Sequence, residues 1–157
     1  MTDIGIYKGL RFARAERFRP AAAVDVDLGS LGVGEYGPQC VQVVGMMEQM
    51  LGQGSLPSSE DCHFLNVFTP ARDDVRRPVM VWVHGGAFTN GTGATPWYHG
   101  ASLARRYDVV VVTINYRLGA FGFAHLAELA GSAFADSGNL GVLDQIEALR
   151  WVARHRR

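Results

Sequence analysis

Val79-Met80-Val81-Trp82-Val83-His84-Gly85-Gly86-Ala87-Phe88 sets an apolar run directly against two consecutive glycines. Five apolar residues rich in β-branched valine suit a strand covered on both faces, and Gly85-Gly86 lets the main chain turn away with little steric hindrance. A strand that ends this way leaves backbone N–H groups exposed in a loop. Such donors stabilise the negative oxygen of a tetrahedral intermediate in acyl transfer, and a histidine-glycine-glycine loop is one way of presenting them. The same pattern also suits an ordinary glycine turn or the start of a nucleotide-binding unit.

Length and composition narrow the class. A chain of 157 residues, 48% of them hydrophobic, fits one domain with a sizeable core. Fifteen basic residues balance 15 acidic ones, so neither a nucleic-acid footprint nor a membrane-surface patch is indicated, and the expected partner is a small molecule. The arginines between Arg11 and Arg19 and the closing Arg154-His155-Arg156-Arg157 read as solvated faces. No segment has the pattern of a secretory leader, and no run approaches the roughly 20 apolar residues of a membrane span, so a cytoplasmic location is expected. Cys40 and Cys62 lack histidines at ligand spacing, so no metal is expected, and their redox state stays open.

Around the opening stretch the chain reads as strand and helix in alternation. Met1 to Pro57 suggests short strands and loops, with Met46, Met47, Met50 and Leu51 as an apolar cluster that either anchors a loop to the core or lines an entrance to a site. Phe64 to Thr69 reads as a strand ended by Pro70, paired with the strand at Val79. A short helix ending at Ser102 to Arg106 and an apolar strand from Val109 to Asn115 complete a βαβ unit, which implies an α/β architecture with a right-handed crossover. In such sheets ligands sit beyond the carboxyl ends of the strands, where His84 to Phe88 falls. A last helix is expected over Leu140 to Arg154, capped by Ser137 or Asn139, with Leu143, Ile146, Leu149 and Val152 on its buried face.

Four segments carry a resemblance: Ser59-Glu60-Asp61-Cys62-His63-Phe64-Leu65-Asn66-Val67; the strand running into His84-Gly85-Gly86-Ala87-Phe88; Asn115-Tyr116-Arg117-Leu118-Gly119; and Gly138-Asn139-Leu140-Gly141-Val142-Leu143-Asp144-Gln145. In this order they resemble the type B carboxylesterases, the cholinesterase-like branch of the α/β-hydrolases. Gly9 to Ala13 and Arg17-Phe18 look like a weakened form of that family's opening segment. The resemblance implies a mostly parallel central sheet with flanking helices, no cofactor, and oxyanion donors at the amides of Gly86 and Ala87, with a third beside the nucleophile. Many relatives have glycine where Ala87 stands; alanine keeps the N–H. The resemblance also implies structural pairs of Arg17 with Glu60 and of Arg117 with Asp144, and matches Cys40 and Cys62 to a pair that secreted relatives bridge. Phe88, Trp97 and Tyr98 are possible borders of an acyl or alcohol pocket.

The sequence holds no Gly-x-Ser-x-Gly elbow; the nearest approach, Gly100-Ala101-Ser102-Leu103-Ala104, lacks the second glycine and precedes a strand. By resemblance the nucleophile follows the helix carrying Trp151, and the acid and histidine lie further on. No role in catalysis falls to His63, His84, His99, His125 or His155. Residues 1–157 are therefore read as the N-terminal portion of a single carboxylesterase domain acting on small, largely apolar esters when completed, inactive alone, and poorly soluble because the sheet edge is uncovered. The competing readings are a non-catalytic cholinesterase-like binding or adhesion module and a nucleotide-binding unit. The second suffers because Gly91-Thr92-Gly93 lacks the further glycine at a helix start.

Overall fold

A computed structural model describes residues 4–25, 34–50, 56–71 and 73–155. In chain order the elements are β1 (Gly5–Arg11), β2 (Ala13–Arg14), β3 (Ala22–Ala23), β4 (Gln39–Cys40), α1 (Met46–Met50), β5 (Ser58–Ser59), β6 (Phe64–Thr69), β7 (Val79–Val83), α2 (Ala101–Tyr107), β8 (Val110–Ile114), α3 (Gly119–Phe123), α4 (Ala127–Ala130) and α5 (Leu140–His155). The main sheet has the order β1-β6-β8-β7, with β7 and β8 parallel and the other neighbours antiparallel. The sheet is therefore mixed, and β8 inserts between β6 and β7, which the sequence reading had paired with each other.

Alternation along the strands divides the core into two layers. Leu65, Val112 and Ile114 face Ala148 and Trp151 of α5, and Val79 and Val81 pack against the same cluster. Phe68 and Val111 point the other way, onto Ala101 and Ala104 of α2. The alanines on each helix let it lie close to the pleated surface, and the β7-α2-β8 crossover of the βαβ unit forms one outer layer. Asn66 and Thr113 are polar residues buried on the α2 face: the Asn66 side-chain amide donates to Thr113 Oγ1 (2.9 Å), and its oxygen accepts the Gly9 N–H (3.0 Å).

Three expectations need correction. Among the described residues β7 is an edge strand, and Met80, Trp82 and Val83 are exposed although the apolar run suggested cover on both faces. The sheet-facing side of α5 consists of Leu140, Gly141, Asp144, Glu147, Ala148 and Trp151, while Ile146 and Leu149 are exposed. Periodicity selected the larger apolar stripe, but the inner side must fit a close approach to the sheet and a buried ion pair. Ser137 and Asn139 lie in a 3-10 turn before the helix, where the Ser137 hydroxyl accepts the Leu126 N–H (2.8 Å) rather than capping α5.

Elsewhere Met46 and Met50 project into solvent instead of anchoring a loop; the Met47 side chain and Leu51 lie outside the described residues. The arginines near the start are not merely solvated. Arg11 forms a bidentate pair with Asp61, and Arg19 donates to the Ala133 carbonyl and covers the Phe134 ring. Among the described residues, no helix is long and apolar enough to cross a membrane.

Candidate functional site

The carboxyl end of β7 delivers a loop with unusual backbone geometry. Gly86 has φ +120°, and the two residues after it, Ala87 (φ +51°) and Phe88 (φ +61°), are non-glycine residues in the left-handed region. Such conformations cost on the order of 1–2 kcal/mol per residue and persist only where the surroundings hold them. The Gly86 carbonyl accepts from Thr89 N (2.9 Å), Thr89 Oγ1 (3.0 Å) and Asn90 N (3.2 Å). The N–H groups of Gly86 and Ala87, by contrast, donate to no protein acceptor among the described residues, and Ala87 is solvent-exposed. A turn has thus tied down the Gly86 carbonyl and left adjacent donors without an acceptor among the described residues. Ala87→Gly should relieve strain and raise stability by up to about 1 kcal/mol, read by thermal melting.

The frame around this loop comes from three directions. From the β7 side, His84 is buried and stacks on Tyr116 with centroids 4.4 Å apart at 14°. Its Nδ1 lies 3.0 Å from the Gly85 carbonyl oxygen, which assigns the ring proton to Nδ1, and the Tyr116 hydroxyl donates to the His84 carbonyl (2.9 Å). Burial pushes the His84 pKa down to about 4, so the ring is neutral at pH 7 and serves as a packing piece. From the β8 side, the Gly119 N–H donates to the Phe88 carbonyl (2.7 Å), and the Phe88 ring leans on Phe123 and Tyr116. These contacts hold the left-handed Phe88.

The third direction was not legible in the sequence. Gln42 pairs with the Gly91 peptide in both senses: its oxygen accepts the Gly91 N–H (2.6 Å) and its amide donates to the Gly91 carbonyl (2.9 Å). Gly91 (φ +116°) sits so close that an added Cβ would overlap His84 Nδ1 and the Gly85 carbonyl. Beyond it, Asn115 Oδ1 accepts from Gly93 N (2.8 Å) and Thr92 Oγ1 (3.1 Å), and Asn115 Nδ2 donates to the Pro38 carbonyl (3.0 Å). Gln42→Ala leaves the Gly91 N–H without its partner and should cost about 2 kcal/mol. Amide exchange across residues 84–91 should speed up before global unfolding; unchanged exchange there would remove Gln42 from the frame.

Beneath the loop lies a buried charge cluster. Arg117 donates from Nε (2.8 Å) and from its backbone N–H (3.1 Å) to Asp144 Oδ2, and from Nη2 to Oδ1 (2.7 Å); its Nη1 reaches the Arg19 carbonyl (2.8 Å). His63 is fully buried with Nε2 3.1 Å from Asp144 Oδ1. Burial opposes ionisation of Asp144 most strongly, but Arg117 and His63 together outweigh it and hold the carboxyl below its usual range. The next residue, Leu118, donates its N–H to Cys40 Sγ (3.2 Å). Cys40 and Cys62 are free, buried thiols in one cluster, and their mutual interaction draws their titrations apart, lowering the Cys40 pKa and, with burial, raising that of Cys62.

The remaining sequence-predicted residues are dispersed. Arg17 forms a bidentate pair with Glu60 (Nε to Oε2, 2.8 Å) at the exposed surface, where solvent screens it and it contributes little to stability. Tyr98 packs on Trp82 with centroids 4.9 Å apart, and Trp97 is exposed. No ring contact among the described residues joins these aromatics to Phe88.

Comparison with known proteins gives a consistent result. The model of the Carboxylesterase family matches residues 2–156. The chain is 42% identical over 158 residues to the para-nitrobenzyl esterase of Bacillus subtilis (strain 168), covering 96% of this chain and 31% of that protein. It is 38% identical over 161 residues to the fumonisin B1 esterase of Sphingopyxis macrogoltabida, covering 99% of this chain and 29% of that one. The crystal structure of a Geobacillus stearothermophilus carboxylesterase at pH 6.2 superposes with a TM-score of 0.82 at 44% identity, over 95% of this chain and 30% of that one. The chain thus spans about 30% of the length of these relatives. Its strained glycine loop at the end of β7, its βαβ core and its match over residues 2–156 lead to one conclusion: the chain belongs to the carboxylesterase family, with the α/β-hydrolase fold.

Proposed function

We propose that this chain contributes the oxyanion-binding part of a carboxylic ester hydrolase that acts on small, largely apolar esters. The observation that supports the reading is the pair of amides at Gly86 and Ala87, which have no acceptor among the described residues and lie in a loop whose residues 87 and 88 have left-handed backbone. Donors fixed before the reaction need no reorganisation as charge develops on the carbonyl oxygen, and losing one typically costs roughly 3–4 kcal/mol of transition-state stabilisation. The exposed side of the loop leaves room for a substrate carbonyl. Balanced charge favours a neutral ester over a polyanion such as nucleic acid.

The nucleophile, its base and the orienting acid have no candidates within the 157 residues. Turnover therefore requires a serine elbow from further polypeptide, and Phe88 is the aromatic side chain best placed to border the acyl group. The test is a chimera in which this chain replaces the matching third of the Bacillus subtilis esterase. It should hydrolyse a short-chain p-nitrophenyl ester, with activity abolished by a serine-directed organophosphate. A folded chimera that takes up the organophosphate but does not turn over would defeat the oxyanion assignment.

A further inference from the structure

The glycine loop after β7 contains a dipeptide with covalent chemistry of its own. The chain has four asparagines; Asn66, Asn115 and Asn139 are followed by valine, tyrosine and leucine, whereas Asn90 is followed by glycine. An asparagine side-chain amide is an electrophile for the backbone nitrogen of the next residue, and glycine, with no Cβ, hinders that attack least. Asn66 and Asn115 are also buried, with their side chains hydrogen-bonded. Sequence and fold therefore single out Asn90.

Both reacting groups are held in place. The Asn90 N–H donates to the Gly86 carbonyl (3.2 Å), and the Asn90 side-chain oxygen lies so close to the Gly86 backbone that a Cβ added to Gly86 would stand 2.3 Å from it. The attacking nitrogen belongs to Gly91, which is buried, and its N–H donates to Gln42 Oε1 at 2.6 Å. Gln42 is itself tethered: its amide donates to the carbonyls of Gly91 (2.9 Å) and Cys40 (3.2 Å) and to Gln39 Oε1 (3.3 Å). A nitrogen whose proton is taken up by a fixed acceptor must break that bond before a base can reach it.

We infer that Asn90–Gly91 is a deamidation site kept closed by Gln42, and that its product sets a fixed negative charge beside the amides of Gly86 and Ala87. Hydroxide removes the Gly91 N–H proton, and the nitrogen attacks Asn90 Cγ to form a cyclic imide. Nδ2 leaves as ammonia, taking a proton from water and so returning the hydroxide. Water then opens the ring at either carbonyl to give aspartate or isoaspartate, so the net change is one water consumed and one ammonia released. The new carboxylate replaces an amide that already lies against Gly86. Isoaspartate also lengthens the backbone inside a loop where Gly86, Ala87, Phe88 and Gly91 all have positive φ. Under the ester-hydrolase reading proposed above, that charge opposes the oxyanion the same donors bind.

The experiment follows the full 157-residue chain at mildly alkaline pH, with conversion at each asparagine read by peptide mass mapping and isoaspartate by enzymatic methylation. In urea, Asn90 should convert before the other three asparagines. In the native chain its conversion should be at least about tenfold slower, the protection that one well-made hydrogen bond gives. Gln42→Ala, shown to be folded by circular dichroism, should recover most of the urea rate. Gln42→Glu keeps an acceptor for the Gly91 N–H and should stay protected. Another asparagine converting first, equal rates in urea and in the native chain, or equal rates in the two Gln42 variants would overturn the inference. Asn90→Asp installs the product charge and should slow base-catalysed exchange of the Gly86 and Ala87 amides by about threefold relative to Asn90→Ser, because a nearby anion opposes the charge that the exchanging nitrogen acquires. Equal exchange in these two variants would overturn the placement of the charge. None of these measurements needs turnover, so their failure would leave the proposed function standing.

Discussion

Arg117→Met should lower the unfolding free energy of this chain by about 3–5 kcal/mol, the largest single-residue effect in the fold outside the apolar core. Asp144 is fully buried, and three of the hydrogen bonds to its carboxylate come from Arg117. Methionine fills much of the space but leaves a buried carboxylate with one backbone N–H and the neighbouring His63. The alternative, protonating Asp144, costs stability in proportion to how far its pKa must climb. In urea titrations the midpoint should fall, and melting should drop by about 10 °C for a chain of this size. Replacing both partners, as Arg117→Met with Asp144→Leu, should recover most of the loss, because the unpaired charge and not the missing attraction is what destabilises. A single-variant loss below about 1 kcal/mol would mean that water reaches Asp144 once the arginine is gone.

The same pair couples α5 to the glycine loop. Arg117 stands two residues before Gly119, whose N–H holds the Phe88 carbonyl, and one before Leu118, whose N–H meets Cys40. A helix facing one layer of the sheet thereby fixes a loop at the end of a neighbouring strand. Loosening the Arg117–Asp144 pair should be felt as faster amide exchange near Phe88 as well as lower global stability.

How much of this was legible in the sequence follows from where the information is local. The β7 strand and its glycine stop, the α2 and β8 elements and the span of α5 are written in contiguous runs, and the structure places them within a residue or two of the reading. Strand neighbours are not local: nothing in Phe64–Thr69 or Val79–Val83 says that β8 separates them, since both runs are apolar enough to pair with either. The inner face of α5 was misread because apolar count outvoted fit. Alanine, glycine and a buried aspartate approach a sheet more closely than leucine does, and the larger side chains remain for the outer side. Gln42 was invisible for a different reason. A glutamine in a loop has no periodicity, and its role exists only because the fold brings Gly91, far along the chain, within hydrogen-bond reach. The strain at Phe88 had no signal either, as a bulky residue rarely adopts positive φ and here does so only under the hold of Gly119, Tyr116 and Phe123.

Acid should destabilise the loop frame through His84. In the unfolded chain this histidine titrates near 6.5, whereas in the fold burial pushes it down to about 4. Between those values the unfolded state binds more protons than the folded one, so unfolding takes up a proton and stability rises with pH. The contribution is fully present above pH 6.5 and is lost progressively as pH falls toward 4, amounting to about 3 kcal/mol across the window. Asp144, also held down, adds a further loss at lower pH, below its ordinary range. His84→Gln removes the titrating group while keeping a polar side chain beside the Gly85 carbonyl, so its stability should vary less between pH 6.5 and 4 than that of the parent. The parent should bind close to one proton more on unfolding at pH 5 than the variant does, measured by urea midpoints across the range. Parallel pH curves for the two proteins would mean that His84 protonates in place, with the Tyr116 stack opening to water. The neutral, stacked imidazole would then no longer be what holds Gly85 and the donors after it in position.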